Sequence, residues 1–160
     1  MAENTIDCGS NFLEPSGFKI LINRQNLPNL EFYAQSIQHP DVDMPVTEIS
    51  YPRVGKVGVV GESVNFGMLT IDVILDEKML SYREVYDWML SAINSEHKLT
   101  PASYFDMTLS ILTSNNTPNR EFKYINAFPT NVGAIPFSAM NSGEYISFPV
   151  TFRFDYFEFI

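Results

Sequence analysis

Ile146-Ser147-Phe148-Pro149-Val150-Thr151-Phe152-Arg153-Phe154-Asp155-Tyr156 is the stretch that decides the reading of this chain. Its even positions are Ile, Phe, Val, Phe, Phe and Tyr, and its odd positions are Ser, Pro, Thr, Arg and Asp. A period of two makes one face apolar and one wet, the pattern of a half-buried strand. Upstream, Pro129-Thr130-Asn131-Val132-Gly133 reads as a polar turn segment, so the last third is a turn feeding a long strand over about 144–159. No polar tail follows the strand, so its apolar face needs a cover. The expectation is assembly.

Working towards the N-terminus, two more strands are read around 103–113 and 120–128, joined by a turn at Asn115-Asn116-Thr117-Pro118-Asn119. Before them lies one helix. Ser81-Tyr82-Arg83-Glu84 fits a capping box, with Leu80 and Val85 as its hydrophobic staple. Tyr82, Val85, Tyr86, Met89, Leu90 and Ile93 follow the three-four spacing of one buried stripe. Asp76, Glu77 and Glu84 crowd the start of that helix, where its dipole favours carboxylates.

A strand over roughly 63–76 changes its apolar phase beside Gly67, which reads as a β-bulge. Residues 46–61 hold Pro52, Gly55, Gly58 and Gly61 among β-branched residues, predicting an edge strand with a projecting loop. Phe18 to Asn23 and Leu30 to Ile37 read as the two strands of a hairpin turned at Asn26-Leu27-Pro28-Asn29. Residues 1–16 read as a flexible leader, and 17–160 as a single domain. The fold class expected is β-rich: an antiparallel sandwich or barrel with one packed α-helix.

Composition narrows the function. The chain has 160 residues, 45% of them hydrophobic, which excludes disorder and suits one domain with a core. No apolar run approaches the roughly 20 residues of a membrane helix, and the acidic, polar N-terminus has no signal-peptide core. Cys8 is the single cysteine, so no internal disulfide forms. Ten basic residues, scattered singly against nineteen acidic ones, give a formal charge of −9. Phosphate binding rests on clustered Lys and Arg, so a nucleic-acid binder is disfavoured. Acidity instead suits a surface past which nucleic acid must move without sticking.

Nothing in the sequence supports catalysis. His39 and His97 lack Cys, Asp or Glu partners at metal-ligand spacing, and both read as surface residues. No nucleophile elbow, phosphate-cradling glycine loop or Ca²⁺ loop is present. No cofactor is expected. Trp88 lies beside the helical stripe, which makes it either a boundary core residue or an anchor in a subunit contact.

Three segments together resemble the tail-tube protein family of contractile-tailed phages. They are Phe18 to Val42 with its Leu27-Pro28-Asn29-Leu30-Glu31-Phe32 turn, Leu69-Thr70-Ile71-Asp72-Val73-Ile74-Leu75-Asp76-Glu77 with the following helix and Tyr86-Asp87-Trp88, and Phe128-Pro129-Thr130-Asn131-Val132-Gly133 with the terminal Phe154-Asp155-Tyr156-Phe157. They occur in the family's order and cover most of the chain.

The resemblance implies a structural subunit of a phage tail tube, a homo-oligomer in hexameric rings that stack. Each subunit's inner sheet joins its neighbours around a lumen that conducts the genome without specific binding. It also implies sheath and baseplate or terminator proteins as partners, a place in the virion's tail, and assembly in the host cytoplasm. The tail terminator and baseplate initiator rings share the fold and remain alternatives. An acidic β-sandwich that binds ligands is the alternative of another class.

On this reading the polar face of the terminal strand, with Thr151, Arg153 and Asp155, is the expected lumen face. The stretch 39–61 is the expected ring-stacking loop, with Asp41 and Asp43 pairing Arg53 and Lys56 between rings. Trp88 is the candidate subunit-contact anchor.

Overall fold

The computed structural model describes residues 12–22, 27–53, 55–94, 104–138 and 145–160. In chain order the elements are β1 (Phe18–Leu21), α1 (Pro28–Tyr33), β2 (Ala34–Gln38), β3 (Val42–Asp43), β4 (Thr47–Tyr51), β5 (Gly55–Val59), β6 (Asn65–Phe66), β7 (Leu69–Ile74), α2 (Leu80–Asn94), β8 (Phe105–Leu112), β9 (Pro118–Val132), β10 (Ser147–Arg153) and β11 (Tyr156–Phe159). One antiparallel sheet runs in the order β1-β8-β9-β10-β7-β2, and β11 adds to β9 beyond the end of β10. β9 serves both halves of this sheet. Its residues 118–127 pair with β8, and residues 128–132 pair with β10.

The sheet curls around one core. Ile20, Leu69, Ile71, Val73, Met107, Leu109, Tyr124, Phe148, Val150 and Phe152 meet there, with Val85 and Trp88 from α2. Each large side chain so buried contributes about 1.5–3 kcal/mol. The expected β-rich, antiparallel class with one long helix stands, but the barrel is not closed within the chain. β1 and β2 form the two ends of the strand order, and they border a common groove.

The terminal strand keeps its expected phase through Phe154 and then breaks. Phe148, Val150 and Phe152 have no exposed surface, and Phe154 is buried. At Asp155 the chain bends, and in β11 Phe157 packs inward while Tyr156 is exposed. Within the expected strand over 144–159, residue 144 lies outside the described residues and the rest holds two strands, β10 and β11. The segment Pro129-Thr130-Asn131-Val132-Gly133, read as a turn, is strand through Val132. Thr130 and Asn131 are both exposed although consecutive, because the ladder to β10 slips by one residue between Asn131 and Pro129, a β-bulge.

The expected hairpin at 18–37 is absent. β1 pairs with β8, β2 pairs with β7, and the intervening turn is the short helix α1. Pro28 suits a first helical turn, where its missing N–H breaks no bond. α1 has no side-chain cap of its own. Glu84 of α2 supplies one: its carboxylate accepts the Asn29 and Leu30 amides at 3.1 Å each and the Asn29 side-chain amide. Glu84 therefore does not reach back within α2, and the expected capping box does not form.

Asp76 caps α2 instead. Its Oδ1 accepts the Ser81 amide at 3.2 Å and the Ser81 hydroxyl at 3.1 Å. Burial pushes the Asp76 carboxyl up, but hydrogen bonds from Leu80 and Ser81 outweigh it and hold it below the usual carboxylate range. The buried stripe of α2 is centred on Ser81, Val85 and Trp88, whereas Tyr86, Leu90 and Ile93 are exposed. The stripe is rotated because a polar serine lies on the buried side, its hydroxyl satisfied by Asp76 and the Ile74 carbonyl. Leu80 is also exposed, so the expected staple with Val85 is not made.

Removing the Glu84 carboxylate should uncap α1 and loosen the start of β2. Glu84→Ala is expected to lower unfolding free energy in urea by about 1–3 kcal/mol, with Glu84→Gln losing less. An unchanged midpoint for Glu84→Ala would show that α1 does not need this cap.

Candidate functional site

Four strand segments form the surface that corresponds to the expected wall: residues 128–132 of β9, then β10, β7 and β2. Alternation sends Leu69, Ile71, Val73, Phe148, Val150 and Phe152 into the core. Thr70, Asp72, Thr151 and Arg153 therefore point to the opposite side. Gln38 lies beside Thr70, and Ser36 beside Asp72. The Ser36 hydroxyl donates to Asp72 Oδ2 at 2.6 Å, and the Thr130 hydroxyl donates to the Thr151 carbonyl at 3.1 Å.

Asp72 and Arg153 are the only charged residues of these four segments. The face is lined by hydroxyls and amides, and the chain's excess acid lies elsewhere. Thr151 and Arg153 share this face. Asp155 does not: it sits at the bend between β10 and β11, where its carboxylate accepts Asn126 Nδ2 at 2.7 Å. Ser36, Gln38, Thr70 and Asp72 also lie on this face and are not among the expected lumen residues. For Thr70 and Asp72 the signal is present, as the complement of the Leu69, Ile71, Val73 phase.

Among the described residues, neither lateral edge of the four-segment surface carries a further strand. The outer edge of β2 and the β8-side edge of 128–132 pair with no strand among the described residues. At the top of the second edge, the Gly133 amide donates to the Pro149 carbonyl at 2.7 Å. A Cβ on Gly133 would meet the Pro149 ring, with Cδ at 2.7 Å, and the Pro149 carbonyl at 3.0 Å. Only glycine lets β9 end this close to β10.

The chain between β2 and β7 is a projecting arm. Gln38 faces Thr70 and, four residues on in each strand, Val42 faces Phe66, so the register carries from β2–β7 into β3–β6. It resumes in β4–β5 after a shift of two residues, with Thr47 opposite Val59. Gly67 is therefore no bulge within one strand. Its amide donates to the Asp41 carbonyl at 2.9 Å, and the Asp41 carboxylate fills the space where a side chain would stand.

From Val42 to Tyr51 the arm extends about 30 Å at ~3.3 Å per residue. Its outer ribbon has one apolar face, of Ile49, Tyr51, Val57 and Val59, and one polar face, of Glu48, Ser50 and Lys56. All of these residues are exposed. Of the four candidate stacking residues, Asp41 and Asp43 lie at the base of the arm and Arg53 and Lys56 near its tip. The two pairs are not brought together within the chain. Lys56 Nζ instead meets Glu48 at 2.7 Å.

His39 clasps the base of the arm to the core. Its Nδ1 lies 2.7 Å from the Tyr124 hydroxyl, and its ring packs 4.7 Å from Phe122 and 5.0 Å from Phe157. Burial raises the Tyr124 phenol and lowers the His39 imidazole, so both are neutral near neutral pH. His97 and Cys8 fall outside the described residues.

Trp88 is 4% exposed, with its ring 4.9 Å from Phe105 and 5.8 Å from Phe152. Of its two readings, the core residue is the one this packing fits. Among the described residues no cluster of His, Cys, Asp or Glu could hold a metal ion, and no helix is long and apolar enough to cross a membrane.

For a chain with this surface and its projecting ribbon, comparison with known proteins supplies the family. The family model of the phage tail tube protein matches residues 8–160. The chain belongs to the phage tail tube protein family. Among solved structures, this family member is similar to a chain of the anti-feeding prophage tube-terminating cap, with TM-score 0.71 and 17% identity over 100% of this chain and 99% of that one. It is also similar to a chain of the sheath-tube complex of the PVC extracellular contractile injection system in its extended state, with TM-score 0.68 and 18% identity over 92% and 90%. A chain of the anti-feeding prophage baseplate gives TM-score 0.70 and 15% identity over 94% and 97%. At these identities the likeness is one of fold. No curated protein matches the chain.

Gly133→Ala should force β9 away from Pro149 and cost about 1–3 kcal/mol, as overpacking does. Urea unfolding reads the loss directly. A variant as stable as the parent would show that the edge of the sheet adapts without strain.

Proposed function

We infer that this tube-family subunit is a non-catalytic wall element, whose copies join into a hexameric ring around a bore and whose rings stack into a tube. The observation that carries this is the pair of edges without a strand partner among the described residues. The ladders 128–132, β10, β7 and β2 alternate in direction, so β2 and β9 run opposite ways. Joining β2 of one copy to 128–132 of the next extends an antiparallel sheet without interruption, a form of strand addition. A head-to-tail joint of this kind closes into a ring and removes both edges. Six copies is the number the family resemblance implies.

In such a ring the polar face of the four-segment surface lines the bore. Thr151 and Arg153 lie there with Ser36, Gln38, Thr70 and Asp72. With one acid and one base per copy, it offers no cluster of cations to hold phosphates, which suits passage of a genome without binding. The arm carries the stacking role proposed for Asp41, Asp43, Arg53 and Lys56. An isolated two-stranded ribbon is at best marginally stable in water, and the exposed Ile49, Tyr51, Val57 and Val59 face gives the next ring an apolar seat. Lys56 and Glu48 are both largely exposed, so their pairing contributes little and leaves Lys56 free to exchange partners.

Sheath and baseplate or terminator proteins are the partners this reading implies, in the tail of a virion or in a phage-tail-like particle assembled in the host cytoplasm. A terminator or initiator ring is the second reading, favoured by a likeness to the tube-terminating cap that spans the whole chain.

Negative-stain microscopy of the full chain over a range of concentration and salt should show rings of one diameter and hollow stacks. Ile49→Lys with Val57→Lys should leave rings and remove stacks. Rings that never stack in the parent chain would favour the terminator or initiator. A monomer under every condition would overturn the ring.

A further inference from the structure

We propose that the groove between β1 and β2 receives residues 133–138 of the neighbouring copy, anchored by that copy's Phe137. The inference rests on the ring joint described above and adds a second contact to it. The groove has a volume of about 840 Å³, and its lining includes Phe18 and Ile20 of β1, Pro28 and Phe32 of α1, and Ala34 and Gln35 of β2. Such a volume lies in the range that proteins use to enclose a bound group. Phe32 stands 79% exposed at its wall.

The occupant follows from continuity with the strand joint. Within one subunit the rows of the sheet set Ile37 beside Ile71, Ile71 beside Val150 and Val150 beside Val132. Carried across the joint without stagger, the row places Val132 of one copy next to Ile37 of the next. The two strands are antiparallel, so the chain beyond Val132 runs back past Ser36 and Ala34 towards α1. Phe137, five residues beyond Val132, then arrives where β2 gives way to α1, the helix that carries Phe32. A stagger of two residues, about 7 Å, still leaves Phe137 facing α1 or the start of β2.

The segment has the right chemistry. Gly133-Ala134-Ile135-Pro136-Phe137-Ser138 carries no charge, and Pro136 has no N–H to leave unpaired. Ile135 packs against its own subunit's core, which fixes the path of the chain. Ala134, Pro136 and Phe137 face outward, Phe137 with 72% of its surface exposed. A ring on one copy and a ring on the next are thereby both withdrawn from water, the arrangement of an interface hot spot.

The test uses the full chain carrying Cys8→Ser, with Phe32→Cys and Phe137→Cys introduced together, and in parallel Gln35→Cys with Phe137→Cys. A short bis-maleimide should yield a covalent ladder of oligomers from at least one pair, and none from Phe137→Cys alone. In the otherwise unchanged chain, Phe137→Ser should raise the concentration of half-assembly tenfold or more. Rings seen by microscopy with no ladder from either pair, and with assembly indifferent to Phe137→Ser, would overturn this contact and leave the ring reading standing. Absence of rings at any concentration would overturn both.

Discussion

Unpaired main chain at the two ends of a short sheet is the constraint on which the rest of this molecule depends. β2 and residues 128–132 each present a row of amides and carbonyls without a strand to receive them among the described residues. An exposed edge of this kind recruits another chain, and proteins that keep one must cover it or use it. Here the two edges are complementary in direction. They belong to one surface whose far side is polar and whose near side is the core, so joining them preserves which face is wet.

The remaining elements keep that surface in shape. Asp76 seats the start of α2, and Glu84 ties α2 to the first turn of α1, so β2 begins from a fixed point. Tyr82 and Trp88 pack on Phe148 and Phe152, which holds β10 against the helix. Gly133 and Gly67 are close approaches of main chain, one ending β9 against Pro149 and one letting the arm leave the wall beside Asp41. The His39–Tyr124 contact pins the same departure point. Polar groups thus fix the positions, while apolar burial supplies most of the stability.

Much of this was legible in the sequence because period two is a local signal. The inward phase of Phe148, Val150, Phe152 and Phe154 reads directly, as does the projecting character of 46–61. Three features were not legible, each for its own physical reason. The 28–33 segment is helical because a carboxylate fifty-five residues from Asn29 caps it, which turns an apparent hairpin into a helix. α2 is rotated because Ser81 is buried with its hydroxyl satisfied by Asp76. The polarity of Thr130 and Asn131 looks like a turn but belongs to a β-bulge that exposes both. Among the candidate site residues, Thr151 and Arg153 share the polar face. Asp155 is diverted by the bend, and Trp88 fills the core.

Hydrogen exchange of the backbone, resolved by residue, is the most direct test of edge joining. It should be compared between assembled material and the chain dispersed at low concentration. Amides in 34–38 and in 128–132 should become protected together on assembly, since both acquire ladder partners in the same event. Assembled rings in which these two segments exchange as fast as in the dispersed chain would contradict the account.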